Sequence, residues 1–159
     1  MSRLRPAVPS DTPTLLDLAV ATGLFTPEDA EALLGGVLRD LHAGRLDVGH
    51  QAHVWPDETS GEPVGWVYLA PTPKTEGVWD LWWIGVAPER QGTGVGAAML
   101  RAVEALVQAA GGRLLVIETS AALTRTRGFY RRRGYDECGR IPDFYAIGDD
   151  KIVFARRLT

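Results

Sequence analysis

Arg90-Gln91-Gly92-Thr93-Gly94-Val95-Gly96 joins two segments of opposite character. Before it, Val78-Trp79-Asp80-Leu81-Trp82-Trp83-Ile84-Gly85-Val86 is aromatic and β-branched and reads as a strand. After it, Ala97-Ala98-Met99-Leu100-Arg101-Ala102-Val103-Glu104-Ala105-Leu106-Val107 spaces its apolar residues as a helix does and is rich in helix formers. Strand, glycine turn and helix make an anion cradle. The glycines admit close backbone approach, and the helix N-terminus offers unpaired N–H groups and the positive end of its dipole. A phosphate is the ligand this geometry expects.

Other glycine turns fit less well. A P-loop needs Gly-Lys-Ser/Thr after its second glycine, whereas Val95-Gly96 follow Gly94 and no lysine stands in the turn. The dinucleotide fingerprint G-x-G-x-x-G fits Gly92, Gly94 and Ala97 if alanine replaces the last glycine, with Glu118 near the place of the ribose-binding acid. That fingerprint usually follows the first strand of its domain, and here several elements come earlier. A plain capped turn is the bland alternative, and three alternating glycines count against it.

Gln91-Gly92-Thr93-Gly94-Val95-Gly96 resembles the Q/R-x-x-G-x-G/A signature of the GNAT superfamily of N-acetyltransferases. Ile84 to Gln91 is similar to that family's run from its fourth strand into the signature. Gly128-Phe129-Tyr130-Arg131-Arg132-Arg133-Gly134-Tyr135 resembles its F-Y-x-x-x-G-F/Y motif. Two motifs in the right order and spacing are far more specific than either alone. The resemblance implies one α/β domain over residues 1–159. It implies a mixed, mostly antiparallel sheet of about seven strands flanked by about four helices, in the order β-α-α-β-β-β-α-β-α-β-β. It also implies acetyl-CoA as the acyl donor.

Composition agrees. A chain of 159 residues suits one domain, and 45% apolar residues is ordinary for a globular protein. A formal net charge of −3 predicts no general affinity for nucleic acid or membranes. Cys138 is the only cysteine, which rules out an internal disulfide and fits a reducing compartment; a small, half-buried side chain is expected there. The first residues lack a signal-peptide core and no run approaches membrane-spanning length, so a cytoplasmic protein is expected.

The remaining elements can be placed from their punctuation. A short first strand ends near Ala7. Ser10 or Asp11 caps a first helix carrying Leu15, Leu16, Leu18 and Ala19, which stops near Gly23. Thr26-Pro27-Glu28-Asp29 opens a second helix whose apolar stripe is Ala30, Leu33, Leu34, Val37, Leu38 and Leu41. Gln51–Trp55 and Pro63–Ala70 make a hairpin around a polar connection, and Pro71–Gly77 is a loop. Arg113–Glu118 is a buried strand, Leu123–Arg133 a helix, and Tyr135–Ile141 and Lys151–Arg157 are the final strands.

Moving an acetyl group from a thioester to an amine requires a neutral amine and a proton for the leaving thiolate, and so a base and an acid. The resemblance assigns the acid to Tyr130, beside Phe129. For the base, Asp80 shares a strand face with Val78, Trp82 and Ile84, an apolar setting that raises a carboxyl pKa. Glu118 at its strand end and Asp143 are rivals, and a water chain is a fourth route. No metal enters this chemistry. The resemblance places the pyrophosphate on the backbone of Gln91, Gly92, Thr93, Gly94, Val95, Gly96 and Ala97, and the pantetheine arm along Ile84, Gly85 and Val86. The family often carries an asparagine before the F-Y tyrosine; here Leu123 and Thr124 stand there, so either Thr124 or Thr126 substitutes for it or that contact is missing. Of the basic run Arg125, Arg127, Arg131, Arg132 and Arg133, most suit a solvated helix face, with Arg125 or Arg127 on a CoA phosphate.

The resemblance puts the acceptor near Phe25, Trp79, Trp82 and Trp83 and near Asp143, Phe144 and Tyr145. Aromatics with acids there suit a cationic amine, equally with a plain hairpin turn at Gly148-Asp149-Asp150. A primary amine of a small molecule or amino acid is the expected acceptor, by direct transfer. Family habit makes a homodimer one assembly to expect. A CoA-binding sensor of the same fold is the alternative from another functional class.

Overall fold

The computed structural model describes residues 3–158. Its elements are β1 (Arg5–Pro6), α1 (Thr12–Ala21), α2 (Pro27–Asp29), a π-helical stretch (Ala30–Gly35), α3 (Gly36–His42), β2 (Gln51–Pro56), β3 (Pro63–Pro71), β4 (Val78–Val86), α4 (Val95–Ala109), β5 (Leu114–Ser120), α5 (Thr124–Arg132), β6 (Asp136–Ala146) and β7 (Asp149–Arg157). With α2, the π stretch and α3 counted as one helical arm, this is the expected order. The strands form a seven-stranded mixed sheet in the order β1-β2-β3-β4-β5-β7-β6. Among the described residues, no helix is long and apolar enough to cross a membrane. The chain divides into two compact units: one runs to Ala70 and resumes over Trp83–Val103, the other takes Pro71–Trp82 and everything from Glu104.

In the first unit, β1, β2 and β3 pair antiparallel, with Arg5 opposite Val54 and Val54 opposite Trp66. The core gathers Leu15, Leu18, Ala19, Leu34, Leu38, Val54, Trp66 and Tyr68. Gly65, next to Trp66 on β3, faces helix α4: a Cβ there would lie 2.5 Å from Met99 Sδ. Both faces of β3 are therefore covered, and its sequence is nearly continuously apolar for that reason.

Two expectations change here. The second helical arm is not uniformly α: over Ala30–Gly35 it widens to π geometry. The extra residue per turn rotates Leu33 off the apolar stripe, and it stands exposed while Leu34 and Leu38 are buried. Asp11 makes no side-chain cap for α1. Its carboxylate instead takes both Arg5 Nη1 and Nη2, at 2.8 and 3.0 Å, and the Val8 N–H, at 2.8 Å. A buried carboxylate beside a guanidinium gains more from that fork than from one amide.

In the second unit, β4 pairs parallel with β5 from Val78↔Leu114 to Leu81↔Ile117, and β5 pairs antiparallel with β7 from Leu114↔Arg157 to Ser120↔Lys151. Strand alternation separates two faces. Trp79, Leu81, Leu115, Ile117, Ile152 and Phe154 are buried on one of them. Tyr130 of α5 packs on that face, its ring 5.4 Å from Phe154 and 5.9 Å from Tyr135. Asp80, Val116, Glu118, Lys151 and Val153 take the other. Glu104 Oε1 accepts from Tyr135 Oη at 2.8 Å and Arg156 Nη1 at 3.0 Å, joining α4 to the segment after α5 and to β7. Strand β6 continues past the expected Ile141 to Ala146, with irregular pairing from Ile141 onward. Cys138, expected half-buried, is exposed at the other irregularity in β6.

Candidate active site

The first unit carries the anion cradle. Strand β4 ends at Val86, and Pro88–Arg90 form a 3₁₀ turn whose Arg90 pairs with Asp57. Gln91 Nε2 donates to Val86 O at 3.1 Å, and the Thr93 hydroxyl donates to Arg90 O, which fixes the turn. Gly92 and Gly94 hold φ of 75° and 91°, a region that disfavours any side chain with a Cβ. The first N–H of the following helix to find a backbone acceptor is Ala98, on Gly94 O at 3.0 Å. Among the described residues, none is found for the N–H groups of Gly92, Thr93, Gly94, Val95, Gly96 and Ala97. The space a Cβ would take at Gly94 is open. A run of free donors at the start of a long helix, beside an open glycine face, fits a pyrophosphate.

The same unit holds Phe25, Trp83, Ile84, Gly85 and Val86. Phe25 meets Trp83 edge-on, with centroids 5.4 Å apart, and Trp83 lies 5.6 Å from Tyr68. Gly85 is small because Trp66 occupies its side-chain space: a Cβ would fall 2.6 Å from Trp66 Nε1.

The second unit carries the titratable groups. Asp80 is half-buried and accepts from Thr72 Oγ1 at 2.7 Å. Burial raises its pKa, the nearby Glu118 charge raises it further, and the Thr72 bond lowers it. Glu118 is half-exposed and pairs with Lys151 Nζ at 2.8 Å. Tyr130 is buried, and burial pushes its phenol well above the ordinary value. Its hydroxyl has no hydrogen-bond partner among the described residues. The candidate acid and the candidate bases thus sit on opposite faces of the β5–β7 sheet. The β4–β5 ladder ends at Leu81↔Ile117, although both strands run on.

Other expected residues take these places. Trp79 is buried, with a Cβ at Gly112 placed 2.8 Å from its ring, while Trp82 is exposed. Arg127 is committed to Glu137 at 2.7 Å and to Ala121 O at 3.0 Å; Arg131 also pairs with Glu137. Thr124 and Arg125 are exposed at the start of α5. Asp143 holds a left-handed φ of 53°; its N–H donates to Asp150 Oδ1 and its carboxylate accepts from Gly148 N. Phe144 and Tyr145 pack edge-on at 5.0 Å. Burial, then Glu118 and Asp149, raise the Tyr145 pKa. Thr72 and Lys151 had no signal in the sequence, where one lay in a loop and the other began a strand; only strand register brings them to Asp80 and Glu118.

Comparison with known proteins gives the family and the fold. The family model described as the acetyltransferase (GNAT) family matches residues 19–135. A solved GNAT-family structure from Desulfovibrio desulfuricans is similar at TM-score 0.86 and 35% identity, covering 98% of each chain. An amino-acid acetyltransferase of Ralstonia nicotianae is 34% identical over 122 residues, 77% of this chain; the chain spans a quarter of that curated relative's length. An aminoglycoside 6′-N-acetyltransferase solved with coenzyme A shares the fold at TM-score 0.76 and 17% identity, over 98% of this chain and 97% of that one. The chain belongs to the GNAT family of acetyltransferases.

Proposed function

We propose that this protein transfers the acetyl group of acetyl-CoA to a primary amine of a small molecule or amino acid, directly and without a covalent enzyme intermediate. The observation that carries this reading is the run of N–H groups from Gly92 to Ala97 at the head of α4 with no backbone acceptor among the described residues, in a chain of this family. Those groups would receive the pyrophosphate, and backbone groups of Ile84 and Val86 would pair with the pantetheine arm as an added strand does. Arg125, exposed and without a partner among the described residues, suits a CoA phosphate better than the doubly bonded Arg127; Thr124 lies beside it.

Acetyl-CoA supplies an activated acetyl group. The chain supplies proton transfers and position. Asp80, its carboxyl poised by burial, takes a proton from the acceptor's ammonium, with Glu118 or a water as rival. The free amine attacks the thioester carbonyl, the C–S bond breaks, the new amide nitrogen sheds its remaining extra proton to water, and Tyr130 gives its proton to the departing sulfur and recovers one from solvent. A phenol raised by burial is held protonated, as a donor must be. Phe25, Trp82, Trp83, Asp143, Phe144 and Tyr145 are the acceptor-facing candidates, and Trp79 acts through packing. An amino acid among the acceptors is in keeping with the named activity of the R. nicotianae relative. Reading residues 1–159 as one domain belongs to the same proposal, supported by similarity over 98% of the chain.

The test is release of CoA thiol from acetyl-CoA against amino acids of both hands, polyamines, aminoglycosides and short peptides. Release dependent on one class supports the enzyme. CoA binding with silence across the panel favours a CoA-binding sensor instead.

A further inference from the structure

Lys151 is held in an unusual way for a strand residue. Its Nζ lies 2.8 Å from Glu118 Oε2 and 3.6 Å from the centroid of the Phe144 ring. A carboxylate beside an aromatic face is the combination that binds alkylammonium ions. The Lys151 side chain is only 13% exposed, but Glu118 is 49% exposed, and the Phe144 ring is open to solvent too. Among the described residues, Glu118 Oε1 takes no hydrogen bond. Tyr145 and Asp149 add to this acidic, aromatic surface, and the charges of Glu118 and Asp149 are both felt at the Tyr145 phenol.

We infer that Glu118 and Phe144 form an ammonium seat, filled at rest by Lys151, that receives a second, non-reacting amino group of the acceptor. This rests on the acetyl-transfer reading above and narrows its acceptor to compounds with two amino groups. The reacting nitrogen must become neutral before it attacks. A seat of carboxylate and aromatic ring favours the charged form, so it is a poor place for that nitrogen and a good one for another. The base lies at a matching distance: Asp80 pairs with Val116, and Glu118 is two residues further along the same strand face. A 4.8 Å strand spacing and a 3.3 Å rise put the Cα atoms of Asp80 and Glu118 roughly 8 Å apart, close to the span between nitrogens separated by five or six methylenes. Lys151 then acts as a gate. A dicationic acceptor displaces it without loss of the seat's contacts, whereas an acceptor whose only amino group is the reacting one leaves none for the seat.

The seat can be tested without acetyl transfer, by following the binding of n-butylammonium to the full chain by NMR titration. Lys151→Met, which keeps the alkyl stem and removes the charge, is expected to bind at least tenfold more tightly than wild type. Lys151→Arg, which keeps the seat filled, is expected to bind no better than wild type. Adding Glu118→Gln to Lys151→Met should abolish the gain. Lys151→Gln is the second charge-free variant, carrying the same expectation should the methionine variant misfold. Equal binding by charge-free and arginine variants, or a gain that survives Glu118→Gln, overturns the seat. That failure would leave acetyl transfer standing, while an amine panel without CoA release would leave the seat standing.

Discussion

At the scale of single residues the proposed chemistry turns on Asp80 and Tyr130. Burial raises the Asp80 pKa first, Glu118 adds to it, and the Thr72 hydroxyl opposes both. A raised carboxyl pKa means stability that is full at low pH and lost as pH climbs from the unfolded value through the folded one. Asp80→Asn should therefore melt higher than wild type at pH 7 while kcat falls roughly 10²-fold, the usual reach of a general base. Thr72→Val removes the opposing donor, so the acidic limb of kcat/KM should move to higher pH. A limb that stays in place in both variants would show that Asp80 is not the titrating base. Tyr130→Phe loses only a hydroxyl with no hydrogen-bond partner among the described residues. It should leave the melting temperature and the Kd for CoA unchanged and lower kcat by about 10²-fold, and a weakened Kd would place the hydroxyl in binding instead.

At the scale of elements the glycines of β4 and its turn separate packing from ligand binding. Gly94 has open space but a left-handed φ of 91°. Gly94→Ala should cost about 1–2 kcal/mol of stability from backbone strain, and weaken CoA beyond that because the methyl enters the cradle. Gly85→Ala meets the buried Trp66 indole 2.6 Å away and should cost about 1–3 kcal/mol by overpacking. Gly65→Ala meets Met99 Sδ at 2.5 Å, yet a thioether can swing aside, so it should cost less. Denaturant titration ranks the three, and a Gly65 variant worse than the Gly85 one would reverse the explanation. These elements differ in how legible they were. The strand, turn and helix around Gly92 could be read because their signals are local: β-branched residues, then glycines, then a helical period. The π stretch was hidden because a 3.6-residue pattern and its widened form share the same apolar residues until Leu33 turns outward. The far end of β6 was hidden because Pro142 and the Asp143 backbone interrupt any strand period.

Across the whole molecule, what the sequence withheld was register. Asp80 and Tyr130 were singled out by resemblance and patterning, but which residues set their properties depends on pairings such as Ser120↔Lys151, made between distant segments. Mostly local ties, rather than register, govern how the molecule responds to acid. Asp57 is held at a pKa of about 2, against an ordinary 3.8, by the N–H groups of Ser60 and Thr59 and then by Arg90. The Arg5 bond draws the Asp11 pKa down, and Arg131 and Arg127 do the same for Glu137. Each lowered carboxyl contributes stability above its unfolded value and loses it as pH falls through the folded one, which for Asp57 is the interval from 3.8 to about 2. Asp80 works in the opposite sense, so stability should climb steeply from pH 2 to 4 and then drift gently downward. Asp57→Asn should flatten the climb, since it leaves nothing there to protonate. High salt should soften the Glu137 share, which is ionic, more than the Asp57 share, which rests first on backbone N–H bonds. Thermal melts at pH 2, 3, 4 and 7, with and without 1 M salt (a Debye length near 3 Å), measure both effects. An Asp57→Asn curve as steep as wild type would mean that the hairpin carrying Asp57 is already open when the molecule unfolds.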